Sequence, residues 1–91
     1  MGLDIYWQAG QKKQYLGSLA IDTPLEDLLY AYGQTTGIPV DPYGKARLYL
    51  TQWQKLIEMA QQRGYPTNAL QEIQAGVSSP ETEGFLILLG D

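Results

Sequence analysis

Cysteine and histidine are both absent from the 91 residues. Without cysteine there is no disulfide, no thiol nucleophile, no thiolate metal site and no switch by thiol exchange. Without histidine the usual general base near neutral pH, the Ser–His pair and the commonest ligand of zinc, copper or iron are missing too. Cations are scarce: six Lys and Arg against ten Asp and Glu leave a net charge of −4, which works against phosphate backbones and anionic lipid surfaces. The longest apolar run is Phe85 to Leu89, far below the roughly 18 residues that cross a bilayer. Met1 to Trp7 has neither the basic start nor the unbroken apolar run of a secretory signal. The expectation is a cytoplasmic protein with no membrane insertion and no nucleic-acid partner.

Other site chemistries find little to stand on. Asp4, Asp22, Asp27 and Asp41 fall in separate elements, and only Glu81-x-Glu83 puts two carboxylates in one loop. No calcium loop of alternating Asp or Asn occurs, and no Gly-rich cluster leads into Lys and Ser or Thr. Ser78-Ser79 lacks a base and is better suited to bonding its own loop. The chain is therefore expected to be no enzyme, with no catalytic residue, no cofactor and no metal site.

What is present is enough apolar residue, 44%, for one domain spanning 1–91. Leu3, Ile5 and Trp7 alternate with Asp4, Tyr6 and Gln8, the period of a strand with one buried face, predicted at 2–8. A polar loop of four to five residues, 9–13, leads to a second strand at 14–21. Asp22 or Thr23 as N-cap, Pro24 in the first turn and the acids Glu26-Asp27 open a helix at 24–33. Its stripe is Leu25, Leu28, Leu29 and Tyr32, and Gly33 and Gly37 end it. From Asp41 to Gly64 the pattern permits either one long helix or a strand at 47–51 followed by a helix at 53–63. Ala69, Leu70 and Ile73 make a short helical segment ended by Gly76; 78–84 reads as a solvated loop, and Phe85–Leu89 as a strand.

Taken in order, these elements resemble the ubiquitin-like β-grasp family over most of the chain. The likeness is closest from Leu3 to Asp41, through the strand positions Leu3, Ile5, Trp7 and Leu19, the helix positions Leu25, Leu28 and Tyr32, and the exit Gly37-Ile38-Pro39-x-Asp41. Arg47-Leu48-Tyr49-Leu50 resembles the family's third strand. The ending, Leu70 to Ile73, Gly76-Val77, a polar loop and Phe85–Leu89, is similar to the small bacterial ubiquitin-like proteins that accompany type VII secretion. The resemblance implies an α+β fold: a ubiquitin-like β-grasp with a mixed sheet, strand one antiparallel to strand two and parallel to the terminal strand, one main helix, and an extra helix near 53–63. Two features depart from the family. The connection Gln54 to Asn68 is long, and the terminal strand runs almost directly into Gly90-Asp91, with no flexible paired-glycine tail.

Function is sought on the sheet. If Phe85, Ile87 and Leu89 point into the core, alternation sends Leu86 and Leu88 to the other face, beside Tyr49. Such a patch marks a binding site, and the resemblance implies the same positions, since ubiquitin meets most partners at those matching Tyr49 and Leu88. The expectation is a non-enzymatic adaptor or regulator binding a protein partner through Tyr49, Leu86 and Leu88, with Leu86→Asp or Leu88→Asp tolerated by the fold and Ile87→Asp unfolding it. Should the extra helix cover that face, the surface is to be sought around Tyr30 and Tyr43. Two alternatives stand beside it: a modifier or sulfur carrier activated at Gly90 once Asp91 is removed, and a small phage-type inhibitor of a host protein.

Overall fold

The first strand forms where its alternation predicts. In the computed structural model, which describes residues 2–77 and 83–90, β1 spans Gly2–Ala9 and β2 spans Lys12–Ala20. Leu3, Ile5 and Trp7 are buried along β1 while Asp4, Tyr6 and Gln8 are half-exposed. The hairpin loop is tighter than expected: Ala9 pairs with Lys12, leaving only Gly10-Gln11 in the turn, and Gly10 takes the positive φ of 62° that a two-residue hairpin requires at its first position.

α1 spans Thr23–Thr36. The Asp22 carboxylate caps it by accepting the Leu25 N–H at 2.9 Å, and Gly37, at φ 76°, closes it by donating its N–H to the Gly33 carbonyl at 2.9 Å. Leu25, Leu28, Leu29 and Tyr32 are all buried, as the stripe predicts. Of the two divisions open for 41–64, the chain takes strand plus helix. β3 spans Lys45–Leu48 and α2 spans Leu50–Gln62, both a little earlier than the predicted 47–51 and 53–63. The switch comes at Tyr49, whose N–H donates to the Gln52 side-chain oxygen at 2.8 Å while its carbonyl accepts the Trp53 N–H at 2.9 Å. α3 spans Asn68–Ala75 and β4 spans Phe85–Gly90. Most of the predicted 78–84 loop lies outside the described residues.

The fold is α+β, a four-stranded sheet of order β2-β1-β4-β3 with three helices among the described residues. Strand neighbours agree with expectation; strand sense does not. β1 pairs antiparallel with β4, Ile5 opposite Leu88 and Trp7 opposite Leu86, and β3 pairs antiparallel with β4, Leu48 opposite Leu86. The sheet is wholly antiparallel rather than mixed, which corrects the expected parallel pairing of the first and last strands. The cause lies between α1 and β3. After Gly37 the chain doubles back along the helix, with Pro39 and Val40 beside Leu29 and Gly33, then Pro42 and Tyr43 beside Glu26 and Asp27. β3 therefore starts at the end of the sheet where β1 starts, Lys45 and Asp4 both opposite Leu89. The α2–α3 excursion leaves and returns at the other end, Leu48 opposite Leu86, so β4 has to run back against both neighbours.

All three helices bury their apolar positions in one cluster with Leu3, Ile5, Trp7, Leu48, Leu86 and Leu88. Trp53, fully buried, ties α2 to α3 by donating its indole N–H to the Leu70 carbonyl at 3.1 Å. The extra helix thus packs beside α1, and no helix among the described residues lies on the opposite sheet face.

Candidate functional site on the uncovered sheet face

Paired residues of an antiparallel sheet share a face, so the register fixes what this surface carries. One row across the sheet is Tyr15, Tyr6, Ile87 and Arg47; the next is Lys13, Gln8 and Phe85; the row on the other side is Ser18, Asp4, Leu89 and Lys45. A β-bulge creates the first row. The β1–β2 register shifts between Ile5 and Tyr6, so Ile5 faces Gly17, Tyr6 faces Tyr15, and Leu16 is left over. Leu16 turns to the core, against α3 at Gly76, while Tyr15 stays on the outer face, 54% exposed.

The side chains on this face cover one another. The Tyr6 and Tyr15 rings meet edge to face at 5.2 Å. Lys13 holds its ammonium 4.6 Å from the Tyr6 ring centre, and the Arg47 guanidinium lies 5.2 Å from that of Phe85. Beneath them Ile87 is only 4% exposed, yet it does not belong to the helix-side core. Among the described residues its cover is a single layer of side chains, and Phe85 and Leu89 beside it are half-exposed.

The predicted site residues separate. Leu86 and Leu88 are fully buried beneath the helices, opposite Trp7 and Ile5. Their predicted outward orientation is corrected, and Phe85, Ile87 and Leu89 take it instead. The physical reason is that a run of five apolar residues satisfies either strand phase, and the pairing with β1 chose the other one. Tyr49 is 57% exposed, as expected, and lines a shallow hollow with Gln8, Glu83 and Phe85 at one end of the open face. Gly90 is the last residue of β4: its N–H donates to the Gly44 carbonyl at 2.7 Å, and a Cβ there would collide with the Pro42 carbonyl. Close backbone approach gives that glycine a packing role inside the sheet. Asp91 lies outside the described residues.

Tyr30 and Tyr43, both well exposed, line a groove of about 450 Å³ with Glu26, Asp27 and Asp41. Tyr65 is half-buried, and burial together with the Asp22 carboxylate pushes its pKa up. Among the described residues no three carboxylates converge closely enough to hold a metal ion, and no helix is long and apolar enough to cross a membrane.

Sequence reasoning missed Tyr6, Tyr15, Arg47 and Lys13 as members of one surface. Tyr6 was legible, since it alternates against the buried Ile5 and Trp7. Tyr15 was not, because the bulge that turns it outward has no marker in the pattern. No family model, no curated protein and no solved structure matches the chain.

Proposed function

We propose that the domain is a non-enzymatic adaptor or regulator that binds a protein partner through the open face of its sheet. The observation that carries this reading is Ile87: an isoleucine at the centre of a central strand, on the face that no helix among the described residues shares, nearly inaccessible between its cross-strand partners Tyr6 and Arg47. Aromatic residues and arginine around an apolar centre are the composition of interface hot spots. The reading rests on this face and not on kinship with ubiquitin-like proteins. Such kinship is supported by the strand neighbours and the capped helix, and opposed by the antiparallel sense of the terminal strand.

The test is site-specific photo-crosslinking in the cells that make the protein, with the probe at Phe85 and, as a control, at Gln71 on the exposed side of α3. A partner captured from Phe85 and not from Gln71 supports the reading; equal capture from both ends it. Intact mass of the same preparation tests the modifier alternative, which requires loss of Asp91 or an adduct through Gly90.

A further inference from the structure

The open face differs in charge from the rest of the molecule, and that difference bears on what it docks. The face carries Lys13, Lys45 and Arg47 against Asp4 and, in the hollow at one end, Glu83, although the chain as a whole is at −4. The segment 21–77, β3 excluded, carries Asp22, Glu26, Asp27, Asp41, Glu58 and Glu72 against Lys55 and Arg63. Half of the chain's six cations therefore stand on one sheet face. Arg47 and Lys13 are steadied there over aromatic rings, and among the described residues neither makes an ion pair.

The cations also have a pattern. Lys13 is on β2 and Lys45 and Arg47 are on β3, the two edges of the sheet, while Tyr6, Phe85, Ile87 and Leu89 occupy the two central strands. The edges are three strand spacings apart, about 14 Å. A helix with side chains is about 10–12 Å across. One laid along the central strands sets its apolar stripe on Ile87 once the Lys13 and Arg47 heads, which rest over the Tyr6 and Phe85 rings, swing out to its flanks. We infer that the partner element is an acidic amphipathic helix, an apolar stripe bordered on both sides by Glu or Asp, which completes a third layer on the sheet. The inference rests on the proposed docking role of this face and specifies its occupant.

Three 18-residue synthetic peptides test it, each with the same leucine stripe at i, i+3, i+4 and i+7 spacing and with flanks of Glu, Gln or Lys. Each is titrated into the full chain and followed by amide NMR, with a 15-nucleotide oligothymidylate as a fourth probe. The Glu peptide is expected to shift Tyr6, Tyr15, Arg47, Phe85 and Ile87 and to bind about tenfold more tightly than the Gln peptide, as two or three rim ion pairs supply. That preference shrinks as salt rises. It disappears in Lys13→Glu/Arg47→Glu and weakens in the neutral pair Lys13→Gln/Arg47→Gln, both substitutions being at exposed positions so that spectral dispersion is retained. Equal binding of the Glu and Gln peptides at this face overturns the acidic occupant and leaves the docking surface standing. Preference for the Lys peptide, or tighter binding of the oligonucleotide there, overturns the acidic occupant as well. No shift on this face with any probe overturns both.

Discussion

The two sides of β4 are buried by different means. Leu86 and Leu88 lie under three helices, in a cluster that reaches from Leu3 to Ile73. Ile87, between them, is almost as inaccessible, but among the described residues it lies outside that cluster, on the face of the sheet that the helices do not share. On one side cover is built from packed secondary structure, and each contact is fixed by many others. On the other it is, among the described residues, one layer of aromatic rings and long cations. Fractional exposure alone, 0% for Leu88 and 4% for Ile87, hides this difference. It teaches that accessibility has to be joined to what supplies the cover before a buried residue is assigned to a core.

A charge breaks the comparison most sharply. Leu88→Asp places an unpaired carboxylate under the helices and is expected to cost on the order of 5 kcal/mol, comparable to the whole net stability of a small domain. Circular dichroism at room temperature should show it largely unfolded. Ile87→Asp is expected to cost clearly less, because its carboxylate stands opposite Arg47 and water reaches it once the side-chain layer shifts. Phe85→Asp, at a half-exposed position, should melt within a few degrees of the parent. If Leu88→Asp folds while Ile87→Asp does not, the two faces have been assigned the wrong way round.

Truncation sharpens the same contrast. Leu28→Ala, in the buried stripe of α1, is expected to lose about 2–5 kcal/mol in urea denaturation. Removing the rim side chain in Arg47→Ala should lose under about 1 kcal/mol. Trp53→Phe falls between them at about 1–2 kcal/mol, since it keeps most of the ring volume but loses the buried indole hydrogen bond to the Leu70 carbonyl. A loss near zero for Trp53→Phe would mean that packing alone joins α2 to α3.

How far the sequence could be read follows from where pattern and physics agree. β1 was legible because polar and apolar residues alternate strictly from Leu3 to Gln8, so only one phase buries a continuous face. α1 was legible because cap, proline, stripe and glycine all agree on one helix. The phase of β4 was not, since Phe85 to Leu89 offers leucine or isoleucine to either side. Strand sense was not legible either, because it depends on the return of 37–44 along α1, and no short-range signal in Gly37-Ile38-Pro39 reports where that segment ends. The candidate face inherits both gaps. Its existence could be argued from an apolar last strand in an open sheet, but its membership needed the register.

The smallest expected effect tests the tightness of the helix side. Tyr32 is fully buried on α1, and the one side chain near its hydroxyl that bears on its titration is Thr36, whose own hydroxyl donates to the Tyr32 carbonyl at 2.7 Å. Burial raises its pKa above the ordinary tyrosine value near 10, outweighing the lowering effect of Thr36. The folded chain therefore holds the Tyr32 proton more tightly than the unfolded chain does. The stability arising from that difference is intact below pH ~10 and is lost as pH rises from there through the raised folded value. Tyr32→Phe removes a buried hydroxyl and the titration with it. At pH 7 the change in urea midpoint should be under about 1 kcal/mol, neutral or in favour of the variant. Above pH 10 the variant should lose stability less steeply than the parent, with Tyr65, raised by burial and by Asp22, supplying part of the slope that remains. Equal alkaline slopes in parent and variant would mean that water reaches the Tyr32 hydroxyl, and that the helix side of the sheet is looser than its packing implies.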